Sequence, residues 1–282
     1  MNKLGIDTSN VALVLEGGGM RGVFTGGVID FFLDNNIDFP YVVGVSAGAG
    51  NSCNYLSRQR GRTRTLDIDY LEKYNYIGIH KLITKGMIID NDLLFGQFPT
   101  VDYPFDFATY STNPMQHEMV ACNCLTGEAV YLDDRTDTVR MTAICRASCS
   151  LPFVSPMVTI DGVPMLDGGI SDAIPVRRAF EKGYKKLVLV LTRPYGYRKS
   201  PKEIKFPKFI YRKYPNLQSK LRNKNFEYNA VMDFVESEER KGNILVIRPQ
   251  NLMGVERLEK RREKLTALYN HGYECAQAIA NI

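Results

Sequence analysis

Two side chains stand in glycine-flanked settings suited to chemistry: Ser46 in Gly44-Val45-Ser46-Ala47-Gly48, and Asp167 in Asp167-Gly168-Gly169. G-x-S-x-G is the pattern of a nucleophile elbow. Its serine sits on a strained strand-to-helix turn with the hydroxyl exposed, and Gly44 and Gly48 remove side chains that would clash there. The amide after Ser46 and the positive end of the following helix both favour a developing negative charge. Asp-Gly is also a common turn dipeptide, so Asp167 alone reads as structural, as Asp161-Gly162 nearby does. The third block is Gly17-Gly18-Gly19-Met20-Arg21-Gly22. Its glycines let backbone N–H groups approach a ligand at a helix start. That suits a dinucleotide pyrophosphate, since Gly17, Gly19 and Gly22 fit G-x-G-x-x-G, or an oxyanion hole, or a bare turn with no ligand. The block by itself does not choose. Arg21 can order the loop, the favoured reading, or meet a phosphate or carboxylate.

The elements that must position these groups follow from periodicity. Residues 11–15 form a β-branched run and predict a strand. Helical spacing over 20–33, a short strand at 41–43 and a small-residue helix over 46–58 follow. This alternation predicts a parallel sheet with helices on its faces. Residues 61–117 read as an insertion covering a site, with helical pieces at 69–74 and 91–98 interrupted by Pro99, Pro104 and Pro114. Thr126-Gly127 and Asp161-Gly162 each join two short strands, 119–124 with 129–132 and 157–160 with 164–166. A helix over 138–149, a buried strand at 187–192, a helix over 225–241, a strand at 244–248 and an amphipathic helix from about 254 to 280 complete the chain as one domain.

The composition, 44% hydrophobic and 24% charged over 282 residues, is that of an ordinary globular protein. No apolar run approaches roughly 18 residues, and the short run at 11–15 cannot serve as a signal-peptide core, so a cytoplasmic protein is expected. The six cysteines, Cys122 and Cys124 among them, read as buried reduced thiols, and the three scattered histidines, His80, His117 and His271, as surface or core. No metal or cofactor is expected.

Together and in this order, the three blocks resemble the patatin-like phospholipase family: its GGGxRG loop, its GxSxG elbow and its DG[AG] motif. A fourth block, 147–156, is similar to that family's Ala-Ser-x₃-Pro-x₃-Pro segment. Residues 14–22 with Leu191-Thr192-Arg193-Pro194 resemble one bacterial branch. The likeness covers about 10–195; residues 61–117 and those after 196 match loosely. The resemblance implies a three-layer α/β sandwich with a mostly parallel central sheet. It also implies a Ser46–Asp167 dyad without histidine acting on lipid esters, and none of the motifs contains a His. Ser46 would attack the ester carbonyl as Asp167 takes its proton. Amides of the loop from Gly17 to Gly22, chiefly near Gly18, Gly19 and Met20, would hold the oxyanion. A free Asp, with a pKa of about 3.9, is a weak base, so desolvation or concerted transfer must assist. A dinucleotide oxidoreductase would want an acid ending the second strand, but that strand runs into Ser46. A lipid-surface binder with a degenerate site is the third class, against which intact Ser46 and Asp167 argue.

Residues 197–224 carry ten Lys and Arg against one acid, Glu203, interleaved with aromatics, whereas the whole chain is only +5. This reads either as a docking face for anionic lipid or as a solvated positive loop; nucleic acid is not an expected partner.

Overall fold

The computed structural model describes residues 7–280. Val11–Leu15 (β1) and Tyr41–Val45 (β2) are buried on both faces, as a central parallel sheet demands. Parallel neighbours run β3 (Gln116–Asn123), β2, β1, β7 (Lys186–Val190), β8 (Ile244–Ile247). Two hairpins add β4 (Ala129–Leu132) to β3 and pair β5 (Val158–Ile160) with β6 (Val163–Asp167), all antiparallel. Both Asp-Gly and Thr-Gly turns thus join strands as expected, and Asp161 and Gly162 both adopt positive φ, the requirement of a tight hairpin.

Strand alternation sorts the core into two layers. Leu13, Leu15, Val188 and Val190 face helices α1 (Val23–Asp34), α2 (Ala47–Leu56) and α3 (Thr138–Ser148). Ala12, Val14, Leu187 and Leu189 face α4 (Val176–Glu181) and α5 (Pro215–Arg240). The last helix, α6 (Arg262–Ala280), packs on α1. The result is the three-layer sandwich.

Three boundaries differ from the sequence reading. Pro99 does not stop a helix, because Leu93–Asp102 is a single π-helical stretch with Pro99 inside it. The wider i→i+5 turn already displaces the carbonyl a proline ring would strike. The helix expected over 225–241 begins ten residues sooner, at Pro215, where a proline's fixed φ and missing N–H suit the first turn. Its early turns bury only Leu217 and Leu221, a pattern too sparse to read. The final helix starts at Arg262, not near 254. The Glu259 carboxylate takes the N–H groups of Lys260 and Arg261 at 3.0 and 3.1 Å, so the segment before it turns instead of coiling.

Candidate active site

β3 explains how two residues 121 positions apart meet. Residues 119–122 pair with β4 along one edge. The other edge is shared: β2 occupies it up to Val45 opposite Val120, and β6 resumes with Asp167 opposite Ala121. The carboxyl ends of β2 and β6 therefore abut on consecutive residues of one strand. Ser46 Oγ donates to Asp167 Oδ2 at 2.7 Å, with Ser46 6% and Asp167 2% exposed.

Ser46 adopts φ +55° and ψ −125°, a conformation that costs a non-glycine residue roughly 1–3 kcal/mol. The surroundings hold it there. Its N–H donates to the buried Ser148 Oγ at 2.9 Å, and its carbonyl accepts from Ala49 and Gly50 as α2 begins. Asp167 is fixed by its second oxygen, Oδ1, which accepts the Gly169 N–H at 2.8 Å. Space around the glycines is as tight as the motifs require. A methyl at Gly44 would lie 2.4 Å from the Gly48 carbonyl, one at Gly48 2.3 Å from the Leu15 carbonyl, and one at Gly168 2.2 Å from the Val120 carbonyl.

The glycine loop passes directly over the serine: a methyl at Gly17 would come 2.9 Å from Ser46 Cβ, and one at Gly22 2.6 Å from Ala47 Cβ. Asn51 ties the loop to α2, donating to the Gly22 carbonyl at 3.0 Å. Among the described residues the amides of Gly18, Gly19 and Ala47 have no acceptor, and Gly19 and Ala47 open onto the same cavity as Ser46. Met20 corrects the expectation. Its N–H is already donated to the Arg257 carbonyl at 3.0 Å, so it is not available to an oxyanion. Arg21 is buried, makes no side-chain hydrogen bond to the loop and leaves its Nε without a partner.

Ser46 opens onto a cavity of about 160 Å³. Its walls are mostly apolar, with Leu66, Tyr76, Ile89, Leu94 and Phe95 coming from the 61–117 segment and Leu151 from the other side. Residues of that segment thus form one side of the cavity. One wall residue is anomalous. Burial pushes the Asp67 carboxyl up to about 7, against a smaller lowering by a hydrogen bond from Tyr76. A folded-state pKa above the unfolded value means the native protein binds the extra proton, so stability falls as pH rises from about 4 to about 7 and is flat beyond. Asp67→Asn is therefore expected to raise the melting temperature at about pH 8 and leave it nearly unchanged at about pH 4. Melts followed by circular dichroism check this, and an equal shift at both pH values would refute it.

Of the histidines, His117 is buried between Tyr110 and Ser52, and His271 is buried against Phe24. His80 bonds the Asn75 carbonyl. None lines the cavity. Residues the motifs did not single out hold the site together. Besides Ser148 and Asn51, the buried Glu16 accepts from the Thr192 N–H at 2.6 Å and the Tyr228 hydroxyl at 2.9 Å, clamping the loop's entry to β7 and α5. Ser148, Thr192 and Glu16 stood inside blocks already noted; Asn51 carried no signal beyond polarity in apolar surroundings.

The patatin-like phospholipase profile matches residues 13–180, more than half of the chain. The chain belongs to the patatin-like phospholipase family. Residues 214–281 match a second profile, a domain of unknown function (DUF6363), which covers the whole of α5 and α6 of this patatin-like chain. The uncharacterized protein YjjU of Escherichia coli (strain K12) is 34% identical over 197 residues, 65% of this chain and 52% of that protein. The chain thus spans about half the length of that curated relative. The crystal structure of VipD from Legionella pneumophila superposes with a TM-score of 0.50 at 13% identity, covering 97% of this chain and 67% of VipD, a likeness of fold alone. Among the described residues no helix is long and apolar enough to cross a membrane.

Proposed function

We propose that this patatin-like protein hydrolyses carboxylic esters of lipids, with Ser46 as nucleophile and Asp167 as its base. The observation that carries the reading is the 2.7 Å hydrogen bond from Ser46 Oγ to Asp167 Oδ2 at the mouth of an apolar cavity. In the proposed course, Ser46 Oγ bonds to the ester carbonyl carbon as its proton passes to Asp167 Oδ2. The carbonyl oxygen takes up negative charge. The acceptor-free amides of Gly18, Gly19 and Ala47 are the donors proposed for it, and one such donor contributes on the order of 10²–10³ in turnover. The tetrahedral adduct collapses and the alcohol leaves with the proton held by Asp167; water then attacks the acyl-serine with Asp167 again accepting a proton, which passes to Ser46 Oγ as the acyl–oxygen bond breaks and the carboxylic acid leaves. The cavity behind Ser46 suits an acyl chain.

Docking on an anionic lipid surface is part of the same proposal, though fewer cations support it than the sequence suggested. Arg198 is paired with Asp233 and Glu236, and Lys220 with Glu128 and Glu227. Lys202, Lys205, Lys208, Arg212 and Lys213 are exposed beside the exposed Phe209.

A fluorophosphonate probe tests the nucleophile. It should label the wild type and fail to label Ser46→Ala. Equal labelling of both, or no labelling of the wild type, would end the hydrolase reading and favour a lipid-binding protein.

A further inference from the structure

Five cationic side chains gather around the glycine loop and Glu16. Arg21 belongs to the loop and is 8% exposed, with its Nε lacking any partner. Arg257 gives its carbonyl to Met20, and a methyl at Gly19 would touch its Cγ at 3.0 Å. Arg193 follows Thr192, which bonds Glu16, and its guanidinium lies 4.2 Å from the centre of the Tyr197 ring. Lys199 Nζ sits 3.8 Å from the centre of the Tyr228 ring, whose hydroxyl also bonds Glu16. Lys224 stands one helical turn before Tyr228 on α5 and lines a small cleft with Gly169 and Asp172.

Among the described residues none of the five makes an ion pair, and none donates a side-chain hydrogen bond. This is unlike Arg198 on the same basic stretch, which bonds two carboxylates. Glu16, which attracts Arg21 and Lys199, has both oxygens engaged by Thr192 and Tyr228. The charges feel their crowding. Burial first, then Arg193 and Arg257 against a favourable Glu16, brings Arg21 down to about 10. Burial first, then Lys224, brings Lys199 down to about 7, with Arg257 and Arg193 adding to the fall and Glu16 opposing it. Burial and Arg257 lower Lys224 as well, against the pull of Asp167. Buried or half-buried like charges without partners, as Arg21, Arg193, Lys199 and Lys224 are, destabilise a fold unless an anion joins them. A phosphate, with nearly two charges and three acceptor oxygens, matches several donors at once.

We propose that Arg21, Arg193, Lys199, Lys224 and Arg257 form a binding site for a phosphate group, borne by a lipid headgroup or free in solution. Lys224 and Arg257 lie in the segment matched by the domain of unknown function, so that segment supplies part of the site. The site stands whether or not the chain is a hydrolase; only the headgroup source rests on that reading.

The test titrates inorganic phosphate into Ser46→Ala protein by calorimetry at about pH 8, where binding should draw a proton onto Lys199 and the heat should vary with the buffer's ionisation enthalpy. Lys199→Gln/Lys224→Gln should weaken binding by about tenfold or more, and Lys208→Gln/Lys213→Gln, exposed on the same basic stretch, should not. If the double variant does not fold, Arg257→Gln, on an exposed side chain, must show the loss. No saturable binding, or equal weakening by the exposed pair, overturns the proposal. A second arm compares turnover of a lysophosphatidic acid with that of a monoacylglycerol. A selective loss on the phosphate-bearing ester in the Lys variants assigns the site to the headgroup, and an unchanged ratio with phosphate binding lost assigns it to the free ion. Intact fluorophosphonate labelling with no phosphate binding would sink this site alone.

Discussion

Replacing Asp167 with Asn is expected to lower ester turnover by about 10²–10⁴-fold while the protein still folds. Asn has the same shape, and its amide oxygen can still accept the Gly169 N–H that Asp167 Oδ1 takes at 2.8 Å. Its NH₂ group would then face Ser46 Oγ in place of Oδ2, which accepts from that hydroxyl at 2.7 Å. A donor facing a donor cannot take a proton. Because no histidine lines the cavity, no imidazole stands ready to substitute. Turnover of a short-chain nitrophenyl ester, with a melting curve on the same sample, checks both halves. Wild-type turnover by a folded Asp167→Asn protein would remove Asp167 from the mechanism.

The second large effect concerns stability, and two forces oppose each other in it. Gly272 lies inside α6, where Ala is intrinsically better than Gly by about 1 kcal/mol. A methyl there, however, would lie 2.0 Å from the Phe24 carbonyl of α1, and one at Gly27 would lie 2.0 Å from the Tyr269 carbonyl of α6. Both obstacles are backbone, so no side chain can swing aside and the helices must separate by about 1 Å or more to reach an ordinary contact. Overpacking of this kind costs about 1–3 kcal/mol, sometimes more, and should outweigh the propensity gain. Gly272→Ala is therefore expected to lower the urea midpoint, and Gly272→Val to lower it further. A raised midpoint for Gly272→Ala would show that the two backbones are not in contact. The displacement should also reach the site, since the turn before α6 holds Arg257 against the Met20 amide.

Local backbone geometry was legible. The elbow around Ser46, the glycine loop after β1 and both hairpin turns depend on a few consecutive residues whose backbone needs are written in glycine, aspartate and β-branched runs. Of the cysteines, read as buried thiols, Cys53, Cys122, Cys124 and Cys145 are buried, while Cys149 and Cys275 are only partly so. Helix limits fared worse. The start of α5 at Pro215 was hidden because its first turns bury only Leu217 and Leu221, and Pro99 is tolerated because the helix around it is of the wider kind. The basic stretch shows the sharpest gap. Ten cations in a row of 28 positions read as one face, yet Arg198 and Lys220 find acids, while Lys199 and Lys224 turn in toward Glu16 and Asp167. Charge density along a chain carries no direction.

What the residues determined by themselves is which groups could react and how each is presented, because a strained turn or a helix start is a property of neighbours in sequence. What only the tertiary structure decided is which groups meet. Ser46 reaches Asp167 because β2 and β6 end on consecutive residues of one edge of β3. The Met20 amide is occupied because Arg257 arrives from the far end of the chain. Strand register and helix contact join residues more than a hundred positions apart, and no local pattern encodes that distance.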